Sequence, residues 1–265
     1  MIEIKNLNII DKYKNNILSD ISMNIHDNKI TALIGSSGSG KTTLVNAMAD
    51  ILKEDLSISS GNIYLDGKEI STLNGYQRRK LSGKKLAFIP QLPMRAFDER
   101  MKIGKQIIEL YTSNLKINPS IGIPMAKKNL ESVNLEPERV LYSYPFELSG
   151  GMLQRVIIAI MLGLSPKYII ADEPTSALDD YNASIFFNLL EKNFKDRGIF
   201  IITHNMNIIK DKADYCYIME NGRIIEEGES EDVLQNPSES WTKKITELMI
   251  KDKSLEERWE WKKLS

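Results

Sequence analysis

GSSGSGKT, the run from Gly35 to Thr42, is the stretch that decides the fold of this chain. It matches the phosphate-binding loop pattern G-x-x-x-x-G-K-[ST] at every fixed position. The apolar run ITALI, which begins at Ile30, suits a buried strand before the loop, and TLVNAMAD suits a helix after it. A strand, this loop and a helix in that order are the context in which the pattern binds a nucleoside triphosphate.

The chemistry of the loop follows from the geometry that its residues allow. Glycines let successive backbone N–H groups turn inward around an anion, and the following helix directs its positive end at the same point. Lys41 is expected to reach the β and γ phosphates, and the hydroxyl of Thr42 is expected to ligate Mg²⁺. The sequence therefore predicts a site for a nucleoside triphosphate and its metal ion.

The composition is that of an ordinary globular protein and excludes several other classes. The 265 residues carry a formal net charge of −1, with 42% hydrophobic and 27% charged residues, so no basic nucleic-acid-binding surface is indicated. Cys216 is the single cysteine, which excludes an internal disulfide, a cysteine-rich zinc site and a four-cysteine iron–sulfur cluster. The longest apolar run, VIIAIMLGL, is too short to span a bilayer, and no secretory signal is recognised. A reducing cytoplasm is the expected compartment.

Three further apolar runs end in polar side chains that fit the same site. KKLAFIPQ delivers Gln91, YIIADEP delivers Asp172 and Glu173, and GIFIITH delivers His204. Because ligands of an open α/β sheet bind at the carboxyl ends of its strands, we expect these residues near the phosphate loop. Asp172 is placed to hold Mg²⁺ through water, and Glu173 is the candidate general base for an attacking water. Gln91 either ligates Mg²⁺ and orients water or opens a loop, and His204 either contacts the γ-phosphate or water or is structural.

Two other features have both a binding and a structural interpretation. Tyr13 lies between two N-terminal strands, where its ring either stacks on a nucleotide base or packs locally. LSGG, from Leu148 to Gly151, opens a strongly apolar helix with Ser149 at its N-cap, and such a helix terminus attracts anions. It is also a common way to start a helix. A second phosphate-seeking terminus at the same nucleotide is the sharper hypothesis.

The motifs GSSGSGKT, LSGG, YIIADEP and SALD, with Gln91 and His204, occur in the order and spacing of the ATPases of ABC transporters. The chain resembles that family from Met1 to about Met249. The roles that the resemblance implies are adenine stacking by Tyr13, metal and water sensing by Gln91, metal alignment by Asp172, base catalysis by Glu173, dimer contact by Asp179 and switching by His204. The nucleotide ligands that it implies are Tyr13, Gly35, Ser36, Gly38, Ser39, Gly40, Lys41, Thr42, Thr43, Ser149, Gly150, Gly151 and Asp179. The metal ligands that it implies are Thr42, Gln91 and Asp172.

The resemblance also implies the architecture. We expect an α/β fold of the P-loop NTPase type, with a mostly parallel core sheet, an N-terminal antiparallel β part and an inserted α-helical subdomain. The expected divisions are an ATPase domain over 1–249, its core over about 1–91 and 165–235, its helical insertion over about 92–164, and a charged tail over 250–265.

Local patterns add detail to this outline. MIEIKNLNI alternates as an edge strand does, and two hairpins are predicted, with turns at Asp66–Gly67 and Asn221–Gly222. IGKQIIELYTSNL and PMAKKNLESVNL have the apolar spacing of helices.

Finer motifs resemble the oligopeptide, dipeptide and nickel importer branch of the family. In YPFELSGGMLQRVIIAI, Met152 replaces the commoner glutamine, and NPSESWTKKI is similar to an element of that branch. Many peptide-importing members carry a cysteine cluster near the C-terminus, which this chain cannot have. We therefore expect an ATPase that powers import of nickel or a nickel chelate across the cytoplasmic membrane, with oligopeptide or dipeptide import as the alternative.

The partners implied are a second ATPase subunit, identical or homologous, two membrane permease subunits and an extracytoplasmic solute-binding protein, with no nucleic acid. Each ATP then lies between the phosphate loop of one chain and the LSGG of the other, at the cytoplasmic face of the membrane. A soluble ABC ATPase acting on ribosomes or nucleic acid is a rival, against which a single cassette with a pI near 6.2 argues. A non-catalytic partner subunit is a second rival, against which the presence of Lys41, Ser149, Glu173 and His204 argues.

Overall fold

The structure is a computed structural model, which describes residues 1–176, 178–203 and 206–247. The strands of these residues are β1 (Ile2–Asp11), β2 (Asn16–Ile25), β3 (Ile30–Gly35), β4 (Leu56–Leu65), β5 (Lys68–Glu69), β6 (Leu86–Ile89), β7 (Tyr168–Asp172), β8 (Gly198–Ile202), β9 (Tyr215–Glu220) and β10 (Arg223–Glu229). The helices are α1 (Lys41–Ala49), α2 (Gly75–Arg79), α3 (Ile103–Leu115), α4 (Pro119–Ser132), α5 (Pro137–Tyr142), α6 (Gly150–Leu164), α7 (Asp180–Phe194), α8 (Met206–Lys212) and α9 (Ser230–Gln235). Residues 240–247 are also helical, and short 3₁₀ turns lie at Pro93–Ala96 and Pro145–Glu147.

The strand that leads into the phosphate loop lies inside a six-stranded sheet. The order is β10-β9-β3-β8-β7-β6, with β10 antiparallel at one edge and the other strands parallel. β8 is buried along its whole length and β7 along all but its last residue, as expected of a parallel sheet covered on both faces. The expected mostly parallel core sheet is confirmed. Its topology brings the carboxyl ends of β3, β6, β7 and β8 to one edge.

The N-terminal residues form a separate antiparallel sheet in the order β2-β1-β4-β5. The expected antiparallel part is confirmed, but the prediction that the first strand lies at an edge is wrong, since β1 pairs with both β2 and β4. Alternating side chains report which face of a strand is buried, whereas an edge is defined by backbone pairing with distant segments. Both predicted hairpin turns are present, and their residues Asp66, Gly67, Asn221 and Gly222 all have positive φ.

A polar cluster ties the antiparallel sheet to the core sheet. Asp66, in the turn after β4, accepts a hydrogen bond from the Tyr168 hydroxyl at 2.9 Å and pairs with Lys167 at the start of β7. Burial acts to raise the pKa of Asp66, but the hydrogen bonds from Lys167 and Tyr168 outweigh it and hold that pKa well below its usual range. The charged carboxylate therefore stabilises the junction between the two sheets.

The chain between β6 and β7 is helical and forms no strand, as predicted for residues 92–164. Helices α3, α4, α5 and α6 share one apolar cluster with α7 and one face of the core sheet. Tyr111 of α3 is fully buried there, and its hydroxyl donates to Ala159 O of α6 at 2.9 Å. Gly163 faces the same ring, where a Cβ would overlap it. Because α6 packs on both the other helices and the sheet, the exact division between core and insertion stays a prediction.

Two expectations fall on parts of the chain that the structure does not describe. His204 and the predicted tail, 250–265, both lie outside the described residues. Within the described ranges, no helix combines the length and apolar character needed to cross a bilayer.

Candidate nucleotide-binding site

The phosphate loop has a backbone that requires glycine. Gly38 has a φ of +81° and Gly40 one of +104°, in the left-handed region that other L-residues occupy at a cost of roughly 1–2 kcal/mol. A Cβ on Gly40 would also overlap the side chain of Leu18 on β2, and a Cβ on Gly35 would overlap the backbone carbonyl of Met219 on β9. The loop is therefore packed against two strands. Leu18 and Met219 are supports that the motif itself does not reveal.

The turn between β9 and β10 also holds the loop. Gly222 N–H donates to Ser39 O at 3.1 Å, and Gly222 O accepts from Ser19 N–H of β2 at 2.8 Å. The Asn221–Gly222 turn is recognisable in the sequence as a hairpin, but its contact with the phosphate loop joins distant segments. Local patterns carry no signal for that contact.

The helix that follows the loop begins without a side-chain cap. Gly40 is its N-cap residue, and no side chain accepts a hydrogen bond from its first turn. An α-helix leaves its first N–H groups without intrahelical partners, here those of Lys41, Thr42 and Thr43. The helix dipole places positive potential at the same point. The start of α1 is thus suited to a phosphate group.

Lys41 lies at the centre of the site with 7% of its surface exposed. Its Nζ donates to Gly35 O at 2.9 Å and to Ser36 O at 2.8 Å, so the ammonium is held within the loop. Burial lowers the pKa of Lys41, and the negative charges of Glu173 and Asp172 oppose that effect. The loop and the end of β7 are therefore electrostatically coupled.

Asp172, the last residue of β7, is partly buried and contacts the loop. Burial raises its pKa, and a hydrogen bond from the Thr42 side chain together with the charge of Lys41 opposes the rise. The neighbouring charge of Glu173 adds to the rise. The Asp172 carboxylate and the Thr42 hydroxyl thus lie side by side at the start of α1.

Glu173 follows β7 with an unusual backbone. Its φ is +44°, which is uncommon for a residue other than glycine and is typical of strained functional positions. Its N–H donates to Ile202 O at the end of β8 at 2.9 Å. Its Oε2 accepts from Gln91 Nε2 at 3.1 Å, which joins the ends of β6 and β7 through their polar side chains. Gln91 thus contacts Glu173, and its role as a metal ligand stays a prediction.

LSGG lies at the start of α6, as predicted. Ser149 is the N-cap residue, and its Oγ accepts from Met152 N–H at 3.3 Å. Leu148 is buried, whereas Ser149 and Gly150 are exposed, and a Cβ on Gly150 would meet no atom within 4 Å. Among the described residues, no hydrogen bond joins this helix start to the phosphate loop. Ser149 and Gly150 are therefore accessible to another molecule.

Asp179 is the N-cap residue of α7, which lies beside the LSGG segment. Its carboxylate accepts from Asn182 N–H at 2.8 Å and from Asn182 Nδ2, and these bonds lower its pKa. The Asn182 side chain also lies against Gly151, because a Cβ there would be 3.5 Å from Asn182 Oδ1. The exposed loop around Asp179 and the start of α6 thus form adjacent surfaces.

Tyr13 lies in the turn between β1 and β2 and is 73% exposed. The Asp11 carboxylate shapes this turn by accepting from the N–H groups of Tyr13 and Asn15, each at 2.8 Å. Lys12 Nζ lies 5.0 Å from the centre of the tyrosine ring. The ring is not packed into the surrounding strands, so local packing does not account for it, and base stacking stays a prediction.

A buried glutamine is the residue of this region that sequence reasoning missed. Gln154 of α6 donates from Nε2 to Pro174 O, directly after Glu173. A polar side chain inside the apolar run MLQRVIIAI was the available signal. The structure thus joins the loop, Gln91, Asp172 and Glu173 in one site, and leaves Tyr13, Ser149 and Asp179 on exposed surfaces.

Comparison with known proteins agrees with this geometry. A family model described as ABC transporter matches residues 18–176. The metal-staphylopine import system ATP-binding protein CntD of Staphylococcus aureus strain Mu50 is 36% identical over 252 residues, covering 92% of this chain and 91% of that protein. The nickel import system ATP-binding protein NikD of Staphylococcus aureus strain USA300 is 36% identical over 230 residues, covering 86% and 88%.

Solved structures share the fold. The dimeric post-hydrolysis state of the ATP-binding cassette MJ0796, bound to ADP and Pi, has a TM-score of 0.75 and 25% identity, over 87% of this chain and 99% of that one. Part of the transporter complex cbiONQ, cbiO1 from Clostridium perfringens, has a TM-score of 0.74 and 27% identity, over 89% and 90%.

Proposed function

We propose that this chain, which belongs to the ABC transporter family and is an ATPase, powers an importer of nickel or a nickel chelate. The observation that carries the ATPase assignment is the convergence of Lys41, Asp172, Glu173 and Gln91 at one edge of the sheet. The metal cargo is supported by the names of two relatives that resemble this chain along most of its length. Oligopeptide or dipeptide import is the alternative.

Phosphate binding falls to the loop and the start of α1. The first N–H groups of α1 and the Lys41 ammonium surround the position where β and γ phosphates would lie. When the Lys41 ammonium moves from the Gly35 and Ser36 carbonyls to a phosphate, it exchanges one set of hydrogen-bond acceptors for another and also neutralises negative charge. Positioning and charge neutralisation of this kind are the main sources of catalysis in phosphoryl transfer.

The oxygen donors present fit Mg²⁺. The Thr42 hydroxyl, the Asp172 carboxylate and the Gln91 amide are hard ligands of the type that Mg²⁺ prefers. Among the described residues, no cluster of three or more His, Cys, Asp or Glu side chains could hold a metal by itself. That sparse set suits an ion that keeps waters and takes its other ligands from phosphates. Bound there, Mg²⁺ would neutralise charge on the phosphates during transfer.

Glu173 is the proposed general base. Its carboxylate accepts the proton of the attacking water, and its hydrogen bond with Gln91 orients that carboxylate. Gln91 is thereby a sensor of both water and metal. His204, as the switch residue that contacts the γ-phosphate, is proposed on the resemblance alone.

A second ATPase chain completes the site. The exposed Ser149 and Gly150 and the partly buried Gly151 contribute to binding the nucleotide held by the partner chain, and the Asp179 loop lies in the same interface. The open space at Gly150 supports this arrangement, because phosphate groups need close access to backbone N–H groups.

The helical segment offers a surface for a membrane permease at the cytoplasmic face. A cleft of about 420 Å³ between α3, α4 and α5 has apolar walls that include Ile108, Ile123 and Leu141, with charged side chains such as Lys105, Lys127 and Glu138 among its lining. An amphipathic cytoplasmic segment of the permease suits such a lining. Residues 92–102 connect this cleft to Gln91, which bonds to Glu173. A shift of the helices at the cleft would therefore be transmitted to the Glu173 side chain. The extracytoplasmic solute-binding protein completes the proposed importer.

Cellular nickel, measured by elemental mass spectrometry at limiting supply, tests this function. We expect Lys41→Ala to cause a sharp loss of nickel that the wild-type chain restores. Lys53→Ala, which removes an exposed lysine just after α1, serves as the matched control and should leave nickel unchanged. Unchanged nickel with impaired peptide uptake would instead support the alternative. Copurification with ribosomes rather than membrane permeases would contradict the transporter role.

A further inference from the structure

Gln154 connects the start of α6 with the loop that carries the base. We propose that it is a positioning residue, through which the LSGG end of one chain sets the Glu173 side chain of that same chain. The proposal rests on the proposed function, because it takes Glu173 as the base and a second chain's nucleotide as the ligand of LSGG.

The first step of the argument is the burial of the amide. Gln154 is only 1% exposed, and its Nε2 donates to Pro174 O. Its Oε1 has no hydrogen-bond partner among the described residues, so this contact is the single described bond of the amide. An apolar side chain would fill the same space without burying an amide. The hydrogen bond to the loop is what distinguishes glutamine here.

The second step is the conformation of the residue next to that bond. Glu173 has a φ of +44°, although the proline that follows it favours an extended backbone. Local sequence therefore opposes the observed conformation, and tertiary hydrogen bonds must hold it. These are Glu173 N–H to Ile202 O at 2.9 Å and Gln154 Nε2 to Pro174 O, beside a local turn bond from Ser176 N–H to Glu173 O at 3.1 Å.

The third step is the position of Gln154 along α6. It lies little more than one turn after Ser149 and Gly150, on a helix whose start is exposed and whose body is buried. When the exposed start engages a partner's nucleotide, any shift of this helix acts on Pro174 O through one hydrogen bond. The base of a chain thereby responds to engagement of its own LSGG.

Gln154→Met, which keeps the length and removes the donor, tests the inference in the assembled transporter complex. We expect kcat for ATP hydrolysis to fall by about tenfold or more, with KM for ATP within about twofold and reduced cooperativity in ATP. Tyr111→Phe is the matched control, since it removes another buried hydrogen bond to α6, at Ala159 O, without touching the Glu173 loop. It should lower the melting temperature similarly and leave kcat unchanged.

The outcomes separate this inference from the proposed function. A Gln154→Met complex with the kcat and cooperativity of Tyr111→Phe would overturn the inference. If that variant does not assemble, Gln154→Asn keeps the amide but shortens its reach, and a normal kcat there would overturn it equally. Glu173→Gln, measured in parallel, tests the base itself: normal hydrolysis in that variant would overturn the proposed function. Inactive Glu173→Gln beside a normal Gln154 variant would overturn the inference alone.

Discussion

Two helices of this protein start with glycines and hydroxyl side chains, yet α1 and α6 start in opposite surroundings. α1 follows the phosphate loop, has no side-chain cap, and has the buried Lys41 and the carboxylates of Asp172 and Glu173 beside it. α6 is capped by Ser149 and starts on an exposed surface. Both termini offer N–H groups and a positive dipole to an anion.

Comparison of α1 with α6 shows which parts of an anion-binding site a helix N-terminus provides without other groups. At α1 the cation, the candidate metal ligands and the candidate base all come from the same chain. At α6 the described residues place no buried lysine at the terminus, and a Cβ on Gly150 would meet open space. The role in hydrolysis that we propose for it depends on bringing a second chain's nucleotide to it.

The largest expected effect separates chemistry from binding at α1. Glu173→Gln removes the proposed base but keeps an amide able to bond with Gln91, so ATP binding should persist while hydrolysis falls by about 100-fold or more. Nucleotide binding by the purified chain and phosphate release by the assembled complex would measure the two quantities. Near-normal turnover would contradict the assignment of the base.

The second prediction compares an alanine substitution at the start of α1 with one at the start of α6. Gly40→Ala forces a Cβ into the Leu18 side chain at a φ of +104°, so we expect a loss of roughly 2–4 kcal/mol in stability and weakened ATP binding by the isolated chain. Gly150→Ala has open space in its own chain, so folding and ATP binding by the isolated chain should stay normal.

ATP hydrolysis by the assembled complex is the third quantity in which the Gly150→Ala variant is tested. With Gly150→Ala it should fall by about tenfold, because the added methyl group obstructs the approach of the partner's phosphates. Calorimetric melting, nucleotide titration and phosphate release together give the three readouts. Full activity of the Gly150→Ala complex would remove α6 from the nucleotide site.

The smallest effect is a stability change remote from both termini. The pKa of Asp66 is depressed in the folded chain, so its carboxylate adds stability above the unfolded value of about 3.9, and this contribution is lost as pH falls through the folded pKa. Asp66→Asn should lower the melting temperature at pH 7, with a difference from wild type that shrinks below about pH 4. Melting curves across pH would show this. Loss of ATP binding at pH 7 in the folded variant would contradict a role for Asp66 in stability alone.

Features whose chemistry is local can be recognised in the amino-acid sequence alone. GSSGSGKT identifies a phosphate loop because its glycines and Lys41 act within eight consecutive residues. Asp66–Gly67 and Asn221–Gly222 identify hairpins because those residues tolerate positive φ. The roles of His204 and Tyr13 remain predictions from motif and resemblance.

Contacts between distant segments are visible only in the folded structure. The bond of Gln91 with Glu173, that of Gly222 with the phosphate loop, and that of Gln154 with Pro174 each join separate elements of the fold. β1 is internal to its sheet for the same reason. Even the left-handed Glu173 runs against its local sequence, since a residue before proline favours an extended backbone. Local propensity acts over a few residues, whereas these features depend on packing and hydrogen bonding that only the assembled sheets and helices bring together.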